Sequence, residues 1–193
     1  MGRKVRRPDP LFAGVLIKFT PLPLPGVWLI QMERNNDPRG YFARTACREE
    51  FEAHGIPTTF PQSNVSFNHS RGTLRGLHWQ DVPHPEGKLV RCVRGSVFDV
   101  AIDLRPDSAS YRRWTSATLS AANGDALYIP PGFAHGFQTL EDNAELFYQM
   151  TDPYRPGLAR GLRWNDPALA IEWPITNPIL SDRDAALPLL DQA

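Results

Sequence analysis

The sequence predicts an all-β protein built as a sandwich or a barrel. Its 193 residues are enough for one full-sized domain. Nineteen prolines and fourteen glycines divide the chain into short segments, which is typical of antiparallel sheets. At least seven of these segments carry strand patterns, follow one another closely and have no helices alternating between them.

The first segments predict two strands and a helix. Strands are expected over residues 27–33 and 40–46, on either side of a turn formed by residues 35–40. Residues 48–55 predict one short helix, because acidic side chains stand early in it and Gly55 can close it. This helix is expected at the periphery of the sheets.

Strands dominate the chain from residue 73 onward. The predicted strands cover residues 73–80, 88–95, 96–105, 113–120, 125–130, 136–140 and 144–151. The tail, residues 152–193, is interrupted by prolines. It carries a second short helix over residues 181–187, for which Ser181 is the expected N-cap.

The charge balance gives no reason to expect binding to nucleic acid or to an anionic membrane. Lys plus Arg number 21 and Asp plus Glu also number 21. The two cysteines, Cys47 and Cys92, are far apart, which favours a reducing compartment over a disulfide framework. The basic N-terminus lacks the apolar core of a signal peptide, and no stretch reaches membrane-spanning length. We expect a cytoplasmic protein with a flexible arm over residues 1–12 and one domain over residues 13–193.

One strand pair can be placed in register. If residues 94–95 form a tight turn, the flanking strands pair as a hairpin in which Val90 lies opposite Asp99. Lys88 then becomes a diagonal neighbour of Asp99 on the same face, about 7–8 Å away at the backbone. Charged residues on that face indicate either the lining of a wet cavity or a solvent-exposed surface, and the hairpin alone does not decide between them.

Two stretches resemble the signatures of the cupin superfamily. In "GTLRGLHWQ" (72–80) His78 stands two residues before Gln80, and Lys88 follows in "GKLVRCVRG"; the second signature is "GDALYIPPGFAHGFQTL" (124–140), which contains His135. Cupin metal sites carry a second histidine and a glutamate where this chain has Gln80 and Lys88. An amide is a poor substitute for imidazole, and a protonated amine cannot bind a divalent cation. We therefore predict that the pocket persists without a metal.

A narrower resemblance covers residues 27 to 190. The chain resembles the dTDP-4-dehydrorhamnose 3,5-epimerase family in several stretches that occur in the same order as in the family. These stretches are "LRGLHWQ", "KLVRCVRGSVFDVAIDLR", "IPPGFAHGF", "ELFY", "RWNDPALAIEWP" and "PILSDRDA". The resemblance implies an all-β, cupin-type double-stranded jelly roll or β-sandwich with short peripheral helices. It also implies a cofactor-free homodimer with exchanged N-terminal strands, which inverts C3 and C5 of a dTDP-linked 4-keto-6-deoxy sugar.

The resemblance also implies roles for individual residues. His78 corresponds to the catalytic base and Asp184 to its carboxylate partner, while Tyr148 corresponds to the acid and Lys88 to the cation that stabilises the enolate. Family positions that bind the nucleotide sugar or line the pocket fall on Arg39, Phe42, Gln62, Asn64, Arg75 and His135, and the predicted hairpin adds Asp99.

These residue types suit the reaction. In a 4-keto sugar both C3 and C5 lie next to the carbonyl, so a base that titrates near neutrality can remove either proton. A cation at O4 stabilises the resulting enolate, and a weak acid returns a proton to the opposite face. Each residue also has a structural alternative: His78 as an ordinary pocket histidine, Lys88 as a solvated strand lysine, Tyr148 as a half-buried core residue, and Asp184 as a first-turn helix residue.

Strand parity sets one condition on the pocket. Arg75 and His78 have opposite parity, so a regular strand cannot direct both side chains inward. A β-bulge at Gly76 would remove the conflict; without one, Arg75 points elsewhere. Family members also commonly carry a glutamate where Arg44 stands and a lysine where Gln149 stands, which concerns the substrate more than the proton-transfer residues.

Three alternatives to a double epimerase follow from these observations. The first is an epimerase that inverts only one carbon, or that acts on another nucleotide-linked deoxy sugar. The second is a metal-dependent cupin with His78 and His135 as ligands. The third is a sugar-nucleotide binding protein that has kept the pocket without turnover.

Overall fold

The computed structural model describes residues 16–192 and confirms the predicted all-β class. Its strands are β1 (Ile17–Pro21), β2 (Trp28–Met32), β3 (Arg34–Asp37), β4 (Gly40–Ala43), β5 (Gln62–Asn68), β6 (Leu74–Gln80), β7 (Lys88–Arg94), β8 (Ser96–Asp103), β9 (Trp114–Ser120), β10 (Ala126–Ile129), β11 (Phe133–Thr139), β12 (Ala144–Met150) and β13 (Ala159–Gly161). The helices are α1 (Arg48–Ala53) and α2 (Asp182–Ala185), and short 3-10 turns lie at Pro156–Leu158 and Leu190–Gln192.

Two antiparallel sheets pack face to face in this part of the chain. One has six strands in the order β1-β2-β10-β7-β12-β5, and the other has five in the order β13-β6-β11-β8-β9. Strands β3 and β4 form a separate hairpin. The predicted arm over residues 1–12 lies outside the described residues, and the single domain over residues 13–193 stays a prediction. None of the helices in residues 16–192 is long and apolar enough to cross a membrane.

Four strands have no counterpart among the sequence predictions. The apolar pattern of β1 is interrupted by Lys18, β3 lies where a turn was predicted, β5 consists largely of polar residues, and β13 has only three residues. Each gains its regular structure by pairing with a neighbouring strand: β1 with β2, β3 with β4, β5 with β12, and β13 with β6. Pairing with neighbouring strands therefore determines that these segments are strands, because their own residue patterns are weak.

The predicted β7–β8 hairpin is wrong. The turn at residues 94–95 passes the chain from one sheet to the other, so β7 pairs with β10 and β12, whereas β8 pairs with β9 and β11. Val90 and Asp99 are both fully buried, within different sheets. Lys88 does not contact Asp99 but forms an ion pair with Glu86, with 2.8 Å between Nζ and Oε1. A tight turn at a sheet corner has the same local sequence signals as a hairpin, which explains the error.

Apolar side chains form three buried clusters in the described residues, one of them where Ile30 and Leu89 of the six-stranded sheet pack with Phe51 of α1. The space between the sheets holds a buried cluster that includes Val90, Val97 and Leu146. The third cluster lies on the outer face of the five-stranded sheet, where Val100 packs with Leu162 and other residues of the tail. The tail thus covers the second sheet and brings its own side chains close to β6.

A bulge in β6 lets two predicted pocket residues, Arg75 and His78, both line the cavity, which is the first of the two alternatives left by strand parity. His135 on β11 pairs with His78, and Phe137 pairs with Arg75, so Gly136 alone on β11 lies opposite two residues of β6, Gly76 and Leu77. Gly76 stands within this irregularity at a φ of +126°, and a Cβ there would lie 2.6 Å from the Cα of Gly136. Only glycine avoids both the strained dihedral and the clash.

Replacing Gly76 with alanine tests this account of the bulge. Backbone strain and steric conflict together should lower the free energy of unfolding by about 2–6 kcal/mol, measured by urea denaturation. Gly157→Ala is the matched control, because no atom lies within 4 Å of a Cβ at that position. The control should stay within about 0.5 kcal/mol of the parent protein. Equal denaturation midpoints for the two variants would contradict the proposed constraint.

Candidate active site

A cavity of about 590 Å³ opens between the two sheets. Its volume falls in the range of small-molecule sites, roughly 300–1,000 Å³. Polar and charged side chains from both sheets and from α2 line it, including Gln62 and Asn64 on β5, Arg75 and His78 on β6, Lys88 on β7, His135 on β11, Tyr148 on β12 and Asp184 on α2. The structure therefore brings together most of the predicted site residues.

His78 is held by Asp184. The distance between His78 Nε2 and Asp184 Oδ1 is 2.8 Å, and the backbone N–H of Gly76 donates to the other carboxylate oxygen at 3.3 Å. The Ser181 hydroxyl accepts from the Asp184 amide, as predicted for an N-cap, and fixes the start of α2. With Nε2 engaged, Nδ1 is the ring nitrogen of His78 that remains to accept a proton.

The surroundings of Asp184 favour the ionised form of its carboxyl group. Burial by itself would raise the pKa of Asp184, but the hydrogen bond and charge interaction with His78 outweigh it, together with the Gly76 amide. The resulting pKa lies below the ordinary value of 3.8. Asp184 is therefore ionised at neutral pH and can stabilise a protonated His78.

Lys88 is nearly buried and has two partners. Its ammonium group forms the ion pair with Glu86 described above and donates to the backbone carbonyl of His78 at 3.3 Å. Because β7 and β6 belong to different sheets, this second bond connects the two walls of the cavity. An ammonium group has three N–H donors, so one donor remains for a ligand.

His135 is oriented by Asp99. Both carboxylate oxygens of Asp99 lie 3.0 Å from His135 Nε2, and the Asp99 side chain is completely buried. Asp99 lies behind the histidine and does not line the cavity, although it was predicted as a binding residue. Asp99 was predicted to contact the ligand, but in the structure it contacts His135 instead.

Tyr148 lies on the wall opposite His78. It belongs to the six-stranded sheet, between Val90 on β7 and Asn64 on β5. Burial raises the pKa of its hydroxyl above the ordinary value of 10.0, while Arg75 partly lowers it and Glu86 raises it further. The phenol therefore stays protonated at neutral pH and can donate a proton or a hydrogen bond.

Gln80 has a structural role in this chain. Its amide nitrogen donates to the backbone carbonyls of His84 and Pro153, and its oxygen accepts from the Arg155 amide. These bonds fasten two loops at the end of the sandwich. The second histidine position of the cupin signature is thus used for a backbone contact.

The other polar positions of the cupin signature also have partners within the protein. His78 is paired with Asp184, His135 with Asp99 and Lys88 with Glu86. Residues 16–192 contain no group of three or more His, Cys, Asp or Glu residues placed to hold a metal ion. The proposed pair of metal ligands, His78 and His135, lacks a third protein ligand in the described part of the chain.

Two predicted binding residues lie away from this cavity. Arg39 is exposed at the tip of the β3–β4 hairpin, where it forms an ion pair with Asp37. Phe42, on β4, lines a second cavity of about 420 Å³. Of the two departures from the family pattern, Arg44 forms an ion pair with Glu50, and neither Arg44 nor Gln149 lines the first cavity.

Several further residues line the cavity without having been predicted. Those that carry a charge or a phenol are Glu86, Tyr154, Arg160 and Arg183. Arg183 stands next to Asp184 in the segment "SDRDA", so its proximity could have been inferred from that neighbour. The other three come from loops or short segments whose sequences carry no regular pattern.

Acidification tests the environment of Asp184. Since its pKa is lower in the folded protein than its ordinary value, the carboxylate stabilises the fold at neutral pH, and this contribution is lost as the pH falls through the folded pKa. Asp184→Asn should lower the free energy of unfolding by about 1–3 kcal/mol at neutral pH, and the deficit should shrink in acid. Asp182→Asn, in the same helix and exposed, is the control. If the free energies of unfolding of the parent and of Asp184→Asn change with pH in parallel, this interpretation is refuted.

Comparisons with known proteins agree with the geometry. A family model described as dTDP-4-dehydrorhamnose 3,5-epimerase matches residues 21–192. The dTDP-4-dehydrorhamnose 3,5-epimerase of Salmonella typhimurium is 45% identical over 88% of this chain and 93% of its own length. The dTDP-4-dehydrorhamnose 3-epimerase of Streptomyces niveus is 41% identical over 92% of this chain and 86% of its own length.

A solved structure extends the likeness to three dimensions. The crystal structure of dTDP-4-dehydrorhamnose 3,5-epimerase from Bacillus anthracis, with TDP and PPi bound, matches with a TM-score of 0.88 and 39% identity. The match covers 91% of this chain and 100% of that one. The predicted cupin-type jelly roll is thereby confirmed. This chain belongs to the dTDP-4-dehydrorhamnose 3,5-epimerase family.

Proposed function

We propose that this protein epimerises a dTDP-linked 4-keto-6-deoxyhexose at C3 and C5 without a cofactor. The observation that carries the proposal is the arrangement of His78 and Tyr148, which line opposite walls of one cavity with the Lys88 ammonium group between the sheets. A base and an acid on opposite walls are what inversion at a carbon requires.

The proposed reaction proceeds through an enolate. His78 Nδ1 takes the proton from C3 or C5, and the electron pair of the broken C–H bond forms a carbon–carbon double bond with C4 while charge moves to O4. Lys88 donates to O4 and stabilises that charge. Tyr148 then gives its proton to the opposite face of the carbon, and exchange with solvent restores both residues.

Arginines support binding of the nucleotide diphosphate. Arg75, Arg160 and Arg183 line the cavity, and a guanidinium group suits bidentate contacts with phosphate oxygens. The Bacillus anthracis relative was crystallised with TDP and PPi. We therefore place the diphosphate of the substrate near these three side chains.

A homodimer with exchanged N-terminal strands remains part of the proposal. Arg39 and Phe42 match family positions for the nucleotide sugar, yet neither lines the first cavity of its own chain. Placing them in the cavity of a second copy would reconcile the two observations. A cytoplasmic location also remains a prediction, consistent with the free thiols of Cys47 and Cys92.

A single-carbon epimerase is the second candidate. The Streptomyces niveus relative, at 41% identity, is named a 3-epimerase. The base, acid and cation of the cavity serve either version of the reaction, so the choice depends on how the sugar ring is held. The complete set of these groups favours an enzyme over a protein that only binds the nucleotide sugar.

Deuterium exchange tests the proposed function. In D₂O, NMR of dTDP-4-keto-6-deoxyglucose with the parent protein should show deuterium entering at both C3 and C5. His78→Ala should slow exchange at both carbons by at least about 100-fold, because general-base catalysis typically contributes a factor of about 10²–10⁴. His69→Ala is the control, since His69 is exposed and outside the cavity lining. Near-normal exchange by His78→Ala would refute the assignment, and exchange at one carbon alone would select the single-carbon version.

A further inference from the structure

Glu86 is a charged cavity residue that the proposed function leaves without a role. It lies in the loop before β7, lines the cavity and is only 6% exposed. One carboxylate oxygen, Oε1, pairs with Lys88, whereas the other, Oε2, is buried and makes no hydrogen bond within the described residues. An unsatisfied buried carboxylate oxygen is costly, which indicates that a donor from outside the protein completes this site.

The position of Glu86 relative to Lys88 limits what that donor can be. Lys88 uses two N–H groups for Glu86 and the His78 carbonyl, and its third is available to the O4 of a substrate. The Glu86 carboxylate lies 2.8 Å from the same ammonium nitrogen. A substrate group that reaches Glu86 while O4 contacts Lys88 must therefore be a neighbour of O4.

In a 4-keto-6-deoxyhexose, the only hydroxyl on a carbon adjacent to the carbonyl is that on C3, since C5 carries the ring oxygen and the methyl group. We propose that Glu86 and Lys88 together recognise the α-hydroxyketone of the substrate: Lys88 donates to O4, and Glu86 Oε2 accepts a hydrogen bond from the C3 hydroxyl. This inference rests on the proposed function and adds a specificity-determining residue to it.

The contact should favour exchange at C3 over exchange at C5. Loss of the C3 proton makes C3 planar, so its hydroxyl and O4 lie side by side in the plane of an enediolate, facing the carboxylate and the ammonium. Loss of the C5 proton leaves C3 tetrahedral and its hydroxyl out of that plane. Lys88 serves both intermediates because both place charge on O4, whereas the hydrogen bond to Glu86 strengthens only in the C3 intermediate, where the hydroxyl turns into the plane of O4.

Two substitutions separate this role from simple support of Lys88. Glu86→Met removes both hydrogen-bonding oxygens at similar size, and C3 exchange should fall by about 10- to 100-fold more than C5 exchange, the effect of one hydrogen bond to a charged group. Glu86→Gln keeps a carbonyl oxygen for Lys88. Its C5 exchange should therefore stay within about threefold of the parent rate, while C3 exchange falls about tenfold because a neutral amide replaces the charged acceptor.

Controls distinguish this proposal from the proposed function. Lys88→Met should lower exchange at both carbons to a similar degree, and Glu141→Gln, a carboxylate outside the cavity that contacts Ser96, should change neither. Binding of dTDP should be unaffected in the Glu86 variants, which verifies a folded nucleotide site. If the parent exchanges neither carbon, the proposed function fails. If the parent exchanges both and the Glu86 variants lose C3 and C5 exchange equally, or lose neither, only the Glu86 proposal fails.

A substrate analogue gives an independent measurement. The 3-deoxy analogue lacks the hydroxyl that Glu86 is proposed to bind, so Glu86→Met should slow C3 exchange of the analogue about 10- to 100-fold less than C3 exchange of the substrate. This comparison also applies to an enzyme that exchanges only C3. Equal losses on the two compounds would overturn the proposal.

Discussion

A charged side chain is stable inside a β-sandwich only when it has a partner, and this constraint determines how the cavity is built. The interior holds Lys88, Asp99 and Asp184, each of them at least nine-tenths buried. Removing such groups from water costs several kcal/mol per ion unless pairing and hydrogen bonds offset it. Each of the three is accordingly paired, with Glu86, His135 and His78 respectively.

The partners come from different parts of the chain, so the pairs also connect structural elements. The His78–Asp184 pair joins β6 to the tail helix α2, and the Lys88 bond to the His78 carbonyl joins the two sheets. The C-terminal tail is therefore part of the site as well as a cover for the outer face of the second sheet. A change that displaces the tail would remove the partner of His78 and disturb the proposed base.

Sequence patterns predicted the fold where local signals were strong. Strands such as β8 and β12 have alternating or continuous apolar patterns, and the order of short strands indicated a sandwich. The predicted pairing of β7 with β8 failed because a corner turn between sheets and a hairpin turn use the same residues. Strand parity succeeded for a physical reason: His78 and Arg75 could share a cavity only through a bulge, and Gly76 was the residue able to form one.

The site was predictable where the family resemblance assigned a role to a residue whose type suits the chemistry. The resemblance gave His78, Lys88 and Tyr148 roles in proton transfer, and these side chains meet in one cavity. Glu86 could not be identified in this way, because nothing in "HPEGK" indicates that its carboxylate turns inward and leaves one oxygen unpaired. Burial and hydrogen-bond satisfaction are properties of the tertiary structure, and they are what distinguish Glu86 from an exposed loop glutamate.

The same three groups can serve two carbons because O4 is common to both reactions. C3 and C5 flank C4, so a sugar ring held by O4 at Lys88 can present either C–H bond to one base by a change in ring position. The walls carrying His78 and Tyr148 need not move. In this mechanism, the difference between double and single epimerases lies in contacts that distinguish the C3 side of the ring from the C5 side. The C3 hydroxyl is the group that breaks this symmetry, and the unpaired oxygen of Glu86 lies beside the cation that would hold O4.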